Sequence, residues 1–390
     1  MQRFGSDLER VGWTPQDLVA LTEELAALSR THKNSPNDGG NLQRKEILRL
    51  TRQINDEVQD ARDRNEEYQE QMEEIGAPRL LVDWRRAFDH IPRHPETISY
   101  SELACRVDAE EPSASPNGMD ARVKRRDPRG VWFKLAHDSG NFVFSRSCGY
   151  FAKYGRKNPT EPTHNPCAYA YGTEDKTFFE VIEGERLQDF NTTMQTLDFV
   201  LPIRGMFPFQ WITENVHRVP DDTALVVDVG GGQEQALRQI MQECPDIPAE
   251  RLVLQDLPSV IEDAKVGDFP ELQGVQKMPH NFFEEQPVKG ALVYYIRRVM
   301  HNWSDRNNCR ILGHVRDVMS PASRILITEQ VVANPPPPEA TWLDLLMMGL
   351  GSKQRTEKDW YSLAGAAGLE LVKIWKSPGT AVAVMELKKQ

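Results

Sequence analysis

Through the first part of the chain the apolar positions recur with helical spacing, whereas beyond Asp221 they come as short unbroken runs. In TPQDLVALTEELAALSRT (residues 14–31), Leu18, Leu21, Leu25 and Leu28 share one face, with Thr14 as N-cap and Pro15 at the first helical position. KNSPNDGG (Lys33–Gly40) breaks that pattern. A second long helix is expected from Asn41 to about Ile75, carrying Ile47, Leu50, Ile54, Val58 and Tyr68 among many charges. Two narrow stripes of this kind dock on another surface, either their own subunit or a second copy in a homodimer. Leu80–Val107 reads as a helix-turn-helix-like stretch, with FDHIP ending one helix and a Ser99–Glu102 capping box opening the next. WFKLAHDSGNFVF (Trp132–Phe144) then reads as a β-hairpin, the wing of a winged-helix unit, and paired helices are expected in Phe178–Asp198.

After Asp221 the runs ALVVDV, RLVLQD, GALVYYI, RILITEQ and AVAVMEL alternate with helical stretches. Strands alternating with helices predict a mostly parallel sheet covered on both faces, an α/β fold. Three regions follow: an N-terminal helical extension (1–78), a winged-helix-like dimerisation and substrate region (79–220), and an α/β domain (221–390).

Charge and cysteine usage narrow the function classes. The 390-residue chain carries a net charge of −11, which argues against a nucleic-acid partner. A basic run at Arg122–Arg129 beside the helix-turn-helix stretch is read as a solvated loop, because no recognition helix follows it. Five dispersed cysteines without a paired spacing fit free thiols in a reducing compartment. There is no leader-like apolar run at the N-terminus and no long apolar stretch, so a cytoplasmic protein away from membranes is expected. No cluster has metal-ligand spacing, and no metal is expected.

Candidate chemistry begins where the first strand runs into VVDVGGGQEQ. Gly230, Gly231 and Gly232 stand where a buried strand must turn sharply into a helix and let a ligand approach the backbone. A dinucleotide fingerprint would need a small residue at Gln235, and a phosphate-cradling Gly-Lys-Ser/Thr is missing. Asp228 precedes the glycines, and Asp256 ends the next strand in LQDLP, where a carboxylate suits the two hydroxyls of a ribose or simply caps a helix.

VVDVGGG, LQDLP, NFFEEQPVKGALVYYIRRVMHNWSD, ILITEQVV and MMGLGSKQRTEKDW occur in the order and approximate spacing of class I O-methyltransferases of small phenolic molecules. The chain resembles that family from about Leu80 to Leu387, including the fungal secondary-metabolism and plant caffeate-type members. The resemblance implies a Rossmann-like methyltransferase domain behind a mainly helical, winged-helix-like dimerisation domain. It implies S-adenosylmethionine as cofactor, held by Asp228, Gly230–Gly232, Asp256 with Leu257, and the Asn281, Phe282, Phe283 turn beside the adenine, with Arg297 nearby. The substrate is then a small molecule.

Methylating a hydroxyl needs a base, because the neutral group is a poor nucleophile, and an imidazole accepts protons close to neutral pH. His301, just after GALVYYI on the crevice side of the sheet, matches the family's catalytic histidine, and Glu329 in ILITEQ matches an acid that orients it. Four positions depart from the family pattern. Glu234 replaces a glycine, Asn281 and Asn302 replace acids, and Gln354 replaces a second supporting acid. An amide both donates and accepts hydrogen bonds but cannot stabilise a cation as a carboxylate does. Apolar candidates for the substrate pocket, many of which also suit the core, are Phe178, Phe179, Met194, Phe199, Met206, Phe207, Trp342, Met347 and Met348, with Gln354 beside them.

His137 and Arg297 match residues that relatives of this fold, the S-adenosylmethionine-dependent pericyclases, use as hydrogen-bond donors to a carbonyl; otherwise both are structural. Three functions therefore stand side by side. They are an O-methyltransferase with His301 as base, a pericyclase or dehydratase that keeps its methyl, and a pseudoenzyme that retains only the fold.

Overall fold

The computed structural model describes residues 15–31, 40–58, 134–196 and 205–390, apart from 233, 267–268, 270–271, 335, 337 and 377–380, together with residues 102 and 106. Apart from Glu102 and Arg106, the helix-turn-helix stretch, including Ser99 of its capping box, lies outside the described residues, as do most of the segment after Val58 and the pocket candidate Phe199. Contacts divide the chain into two compact units, Met1–Ala77 and Pro78–Gln390.

In the first unit, α1 (Pro15–Thr31) and α2 (Gly40–Val58) pack against each other, with Leu21 and Leu50 buried. The apolar spacing read from the sequence faces inward: Leu18, Leu25, Leu28, Ile47 and Ile54 are half-buried on the same sides.

The second unit begins with a difference from expectation. Residues 134–154 are helical, not a β-hairpin: a π-turn at His137–Asn141 runs into α3 (Phe142–Tyr154). Alternation of aromatic and small residues in KLAHDSGNFVF imitates a strand, but the buried positions Val143 and Tyr150 are two helical turns apart, with Ser147 half-buried between them. Long-range bonds then fix the helix. The Tyr150 hydroxyl donates to the His164 carbonyl (2.9 Å), and the Tyr171 hydroxyl donates to Asp138 in the π-turn (3.0 Å). Short helices follow: α4 (Pro166–Ala170), α5 (Phe178–Val181), α6 (Glu185–Thr196) and α7 (Gln210–Glu214). Asn165 caps α4 through Ala168, and a Thr177–Glu180 capping box opens α5.

Beyond Pro220 the alternation of elements is as the sequence predicts. The elements are β1 (Val226–Val229), α8 (Gln235–Glu243), β2 (Leu252–Asp256), α9 (Pro258–Val266), β3 (Gln276–Pro279), β4 (Val293–Arg297), α10 (Asp305–Val318), β5 (Arg324–Val332), α11 (Pro338–Gly349), β6 (Arg355–Thr356), α12 (Glu357–Ala366), β7 (Leu369–Lys376) and β8 (Val382–Lys389). Among the described residues the sheet has order β3-β2-β1-β4-β5-β8-β7, with β6 beside β5. β1 to β6 pair in parallel, and β8 enters antiparallel between β5 and β7.

Alternate strand residues feed two cores. Val226, Leu252, Leu254, Val293 and Leu326 pack under Ile212, Leu237, Ile240 and Ile261 on one face. Val227, Val253, Tyr294, Ile325 and Ile327 pack under Ile311, Leu312, Val315, Trp360 and Leu363 on the other. A sheet buried on both sides explains why its central strands read as continuous apolar runs. Among the described residues no helix is long and apolar enough to cross a membrane.

Candidate active site

Two clusters stand at the carboxyl ends of the central strands, where open α/β sheets bind their ligands. The first is the turn after β1. Gly230 and Gly231 donate their N–H groups to the Gln255 carbonyl (2.8 and 3.1 Å). Gly232 N and Leu257 N donate to the two oxygens of Asp256 (2.9 and 2.7 Å). Side chains do not fit here: a Cβ on Gly231 would lie 2.5 Å from both the Asp228 carboxyl carbon and Leu254 Cδ1. Gly230 has φ +71°, and a Cβ there would sit 2.9 Å from Val299 Cγ2.

Asp228 lies beneath this loop, fully buried, and among the described residues neither carboxylate oxygen accepts a hydrogen bond. Burial pushes its carboxyl up to about 7, against the opposing pull of Arg297 and with help from Asp256. Arg297 thus acts electrostatically on the acid at the glycine turn. Burial also raises the carboxyl of Asp256, although its two backbone hydrogen bonds pull the other way.

Two departures from the family pattern are accounted for locally. Glu234 holds a left-handed conformation (φ +71°) at the start of α8, and its buried carboxylate meets Lys277 Nζ of β3 at 3.0 Å, so its charge is paired. The Asn281 side chain accepts from Phe283 N (3.1 Å) and shapes the 281–283 turn. Phe283 and Phe282 then stack edge-on against Trp303, with centroids 4.7 and 6.0 Å away.

The second cluster is set by strand register. Arg297 at the end of β4 pairs with Thr328 of β5, and Arg298 N extends the ladder to the Thr328 carbonyl. Arg298 then takes φ +56°, and the chain closes into a 3-10 turn at Met300–Asn302. That reversal carries His301 back onto Glu329, the next residue of β5. His301 Nδ1 stands 2.9 Å from Glu329 Oε2, and His301 N donates to Oε1 (3.3 Å). Both side chains are buried. Burial alone would raise the Glu329 carboxyl; His301, through its charge and hydrogen bond, together with Arg298, outweighs it and holds the group below its ordinary value. Asn302 has its own structural use, since its amide donates to the Arg298 carbonyl (3.2 Å).

Several supporting residues were not singled out in the sequence. Arg355, wholly buried, donates to the Met300 and Trp303 carbonyls (2.9 Å each) and to Asp305 Oδ1 (2.9 Å). Asn308 donates to the same two carbonyls (2.8 and 3.0 Å). Trp303 also reaches Phe179 at 6.3 Å, which joins Phe190 and the expected pocket residues Phe178 and Phe179 to the 281–283 turn. The available signal was adjacency: Arg355 follows Gln354 in SKQRT, and Trp303 lies in HNWSD.

Other candidates are dispersed. Phe207 is placed in the sheet core with Phe209 and Trp375, 5.4 Å from each, because it lies at the start of α7 over the helix-covered face. Met194 is half-buried on α6. Met347 is buried and Met348 half-buried on α11, which also carries Trp342, whose side chain lies outside the described residues. His137 has Asp138 as partner (Nδ1–Oδ1 3.1 Å), on a π-turn that packs on α11 through Gly140 and Leu346.

Known proteins place this architecture. The sequence profile of the O-methyltransferase domain family matches residues 217–370. A methyltransferase of Aspergillus candidus, cfoD, is 32% identical over 94% of this chain and 96% of its own length. A methyltransferase of Talaromyces variabilis, pvhD, is 35% identical over 82% of this chain and 94% of its own. The chain belongs to the O-methyltransferase family, in the company of fungal methyltransferases. Among solved structures, LepI in complex with S-adenosylmethionine superimposes with a TM-score of 0.80 at 22% identity, covering 96% of this chain and 99% of LepI. OxaC bound to S-adenosylhomocysteine and oxaline gives 0.76 at 22% identity, over 96% of this chain and 99% of OxaC. Both show that the fold is shared.

Proposed function

We propose that this protein is an S-adenosylmethionine-dependent O-methyltransferase that acts on the phenolic or enolic hydroxyl of a small secondary metabolite. The observation that carries the reading is the buried His301–Glu329 pair, 2.9 Å apart at the mouth of the sheet. An ionised Glu329 accepts the Nδ1 proton of His301 and leaves Nε2 as the acceptor. His301 Nε2 then takes the substrate's hydroxyl proton, and Glu329 stabilises the imidazolium that results.

The residues at the glycine turn fit the cofactor. Gly230 and Gly231 pack too closely on Val299, Asp228 and Leu254 to carry side chains, so the turn presents bare backbone to a ligand, and Asp228 offers a buried carboxylate without a hydrogen-bond partner among the described residues, suited to a cationic ligand. Asp256, held by Gly232 and Leu257, is oriented for a ribose. When bound, the cofactor would supply an electrophilic methyl group on a sulfonium centre, with S-adenosylhomocysteine as the by-product. The chain's own contribution to rate would be to hold the substrate hydroxyl against His301 Nε2 with its oxygen directed toward the glycine turn.

A second reading, a pericyclase or dehydratase that retains its methyl, is supported by the amides Asn302 and Gln354 where the family pattern has acids. Incubation with methyl-labelled cofactor and candidate metabolites separates the two. Labelled product together with S-adenosylhomocysteine supports transfer; cofactor-dependent conversion without either supports the second reading. Binding of cofactor with neither outcome leaves a pseudoenzyme. A homodimer and a cytoplasmic location belong to the same proposal, supported by the half-exposed Val19 and Leu48 on α1 and α2 and by the dispersed cysteines.

A further inference from the structure

One polar group on the segment that holds the His301 turn is not used by the proposed mechanism. Gln354 sits immediately before Arg355, whose guanidinium donates to the carbonyls of Met300 and Trp303 on either side of His301. Two residues earlier, the Ser352 hydroxyl donates to the same Trp303 carbonyl (2.8 Å). Gln354 N donates to Asp344 Oδ1 of α11 (2.6 Å). Residues 352–355 are thus stitched to the turn that carries His301 on one side and to α11 on the other. Between them the Gln354 side chain is only 7% exposed, and among the described residues its buried Nε2 has no hydrogen-bond acceptor. Asn302, the other amide at this turn, is already engaged with the Arg298 carbonyl. A buried N–H without an acceptor is costly, and such groups persist at functional positions where a ligand supplies the missing partner.

The chemistry of that missing partner is restricted. A carboxylate at position 354 would accept a bond from a hydroxyl and repel an oxygen carrying negative charge. The amide N–H requires an acceptor and is indifferent to a hydroxyl proton pointed at it. We propose that Gln354 Nε2 donates to a second oxygen of the substrate, a carbonyl conjugated with the hydroxyl to be methylated, so that the preferred substrates are enolised 1,3-dicarbonyl compounds. This rests on the methyl-transfer reading above. As the hydroxyl proton passes to His301 Nε2, the negative charge spreads through the conjugated system onto both oxygens. Gln354 stabilises the share on the distal oxygen, while the proximal oxygen would take the methyl group as the methyl–sulfur bond breaks and its electron pair stays on sulfur, leaving S-adenosylhomocysteine. A hydrogen bond to a charged oxygen is among the stronger ones, and a site built around it discriminates against compounds that lack it.

The test uses the full chain saturated with S-adenosylhomocysteine, titrated with 4-hydroxycoumarin, an enolised 1,3-dicarbonyl, and with 2-naphthol, a plain hydroxyarene. Wild-type protein is expected to bind 4-hydroxycoumarin at least roughly tenfold more tightly. Gln354→Leu and Gln354→Glu each remove that preference, Gln354→Glu the more so as pH rises, and both leave 2-naphthol and S-adenosylhomocysteine affinity within about twofold. Equal wild-type affinities, failure to bind 4-hydroxycoumarin, or a preference that survives both substitutions overturns the inference. The wild-type comparison needs no variant, so a substitution that fails to fold does not protect the idea. Transfer of labelled methyl is scored separately. A Gln354-dependent binding preference without labelled product strikes the methyltransferase reading and leaves the recognition by Gln354 standing.

Discussion

Asp228 at the end of β1 and Glu329 near the end of β5 are both buried carboxylates, yet their protons are held in opposite ways. Glu329 has His301 on both its oxygens and the charge of Arg298 nearby, and these overcome the cost of burial. Asp228 has only the more diffuse pull of Arg297, and burial wins. Burial sets the penalty, and the partners decide whether it is met. In the proposed site the His301–Glu329 pair is complete within the described residues, whereas the glycine turn holds a carboxylate that a cationic ligand would satisfy.

The sharpest way to break this contrast is at the completed pair. His301→Ala is expected to lower methyl transfer by about 10²–10⁴-fold. Affinity for S-adenosylhomocysteine, measured calorimetrically, should stay within about threefold, since only the base is removed. Retained turnover removes His301 from the role of base.

The turn beneath that pair is the next lever. Arg355→Met removes one donor from each of the Met300 and Trp303 carbonyls and the buried partner of Asp305, and should destabilise the protein by roughly 3 kcal/mol in denaturant titrations. Stability within experimental error of wild type would show that Asn308 and Ser352 suffice to hold the turn.

At the cofactor end the effect on stability changes sign. The folded-state pKa of Asp228, about 7, lies above its ordinary value of 3.8, so the folded state holds its proton more tightly. That group therefore disfavours folding progressively as pH rises from about 4 to 7, and fully above that window. In the ligand-free protein, Asp228→Asn is expected to gain about 2–4 kcal/mol at pH 8 and almost nothing at pH 4. The same substitution should weaken binding of the cationic cofactor. A stability difference independent of pH would refute the unpartnered-acid account. Glu329 behaves conversely: its lowered pKa contributes stability above its ordinary value of 4.5, lost as pH falls through the folded-state value.

The smallest expected effect is at Asn302. Replacing its amide by a carboxylate, Asn302→Asp, removes the bond donated to the Arg298 carbonyl and should cost about 1 kcal/mol. Thermal melts above pH 6, where the new carboxylate is charged, provide the check.

Much of the fold was legible because the central strands are buried on both faces, which forces continuous apolar runs at β1, β2, β4, β5 and β8. β3 is half-exposed at the edge and carries Gln276 and Lys277, and β7 is mostly uncovered, so neither left a comparable run. The π-turn and α3 were misread as a hairpin, since distant groups such as His164 and Tyr171 select the helix and local alternation does not. Phe207 shows the same limit: an aromatic residue in a site-bearing motif can equally well fill the core.

By itself the sequence determined the parallel sheet, the glycine turn with its flanking acids, and the presence of a histidine and a glutamate at strand ends. These are local matters of strand burial, backbone freedom and side-chain chemistry. Only the tertiary structure decided that β4 and β5 lie in a register that brings His301 onto Glu329. It also decided that Lys277 pairs Glu234, that Asn302 closes its own turn, and that Gln354 is left with a buried donor to offer. The His301–Glu329 and Lys277–Glu234 pairings join groups 28 and 43 positions apart, and a residue's partners, unlike its chemistry, are not written beside it.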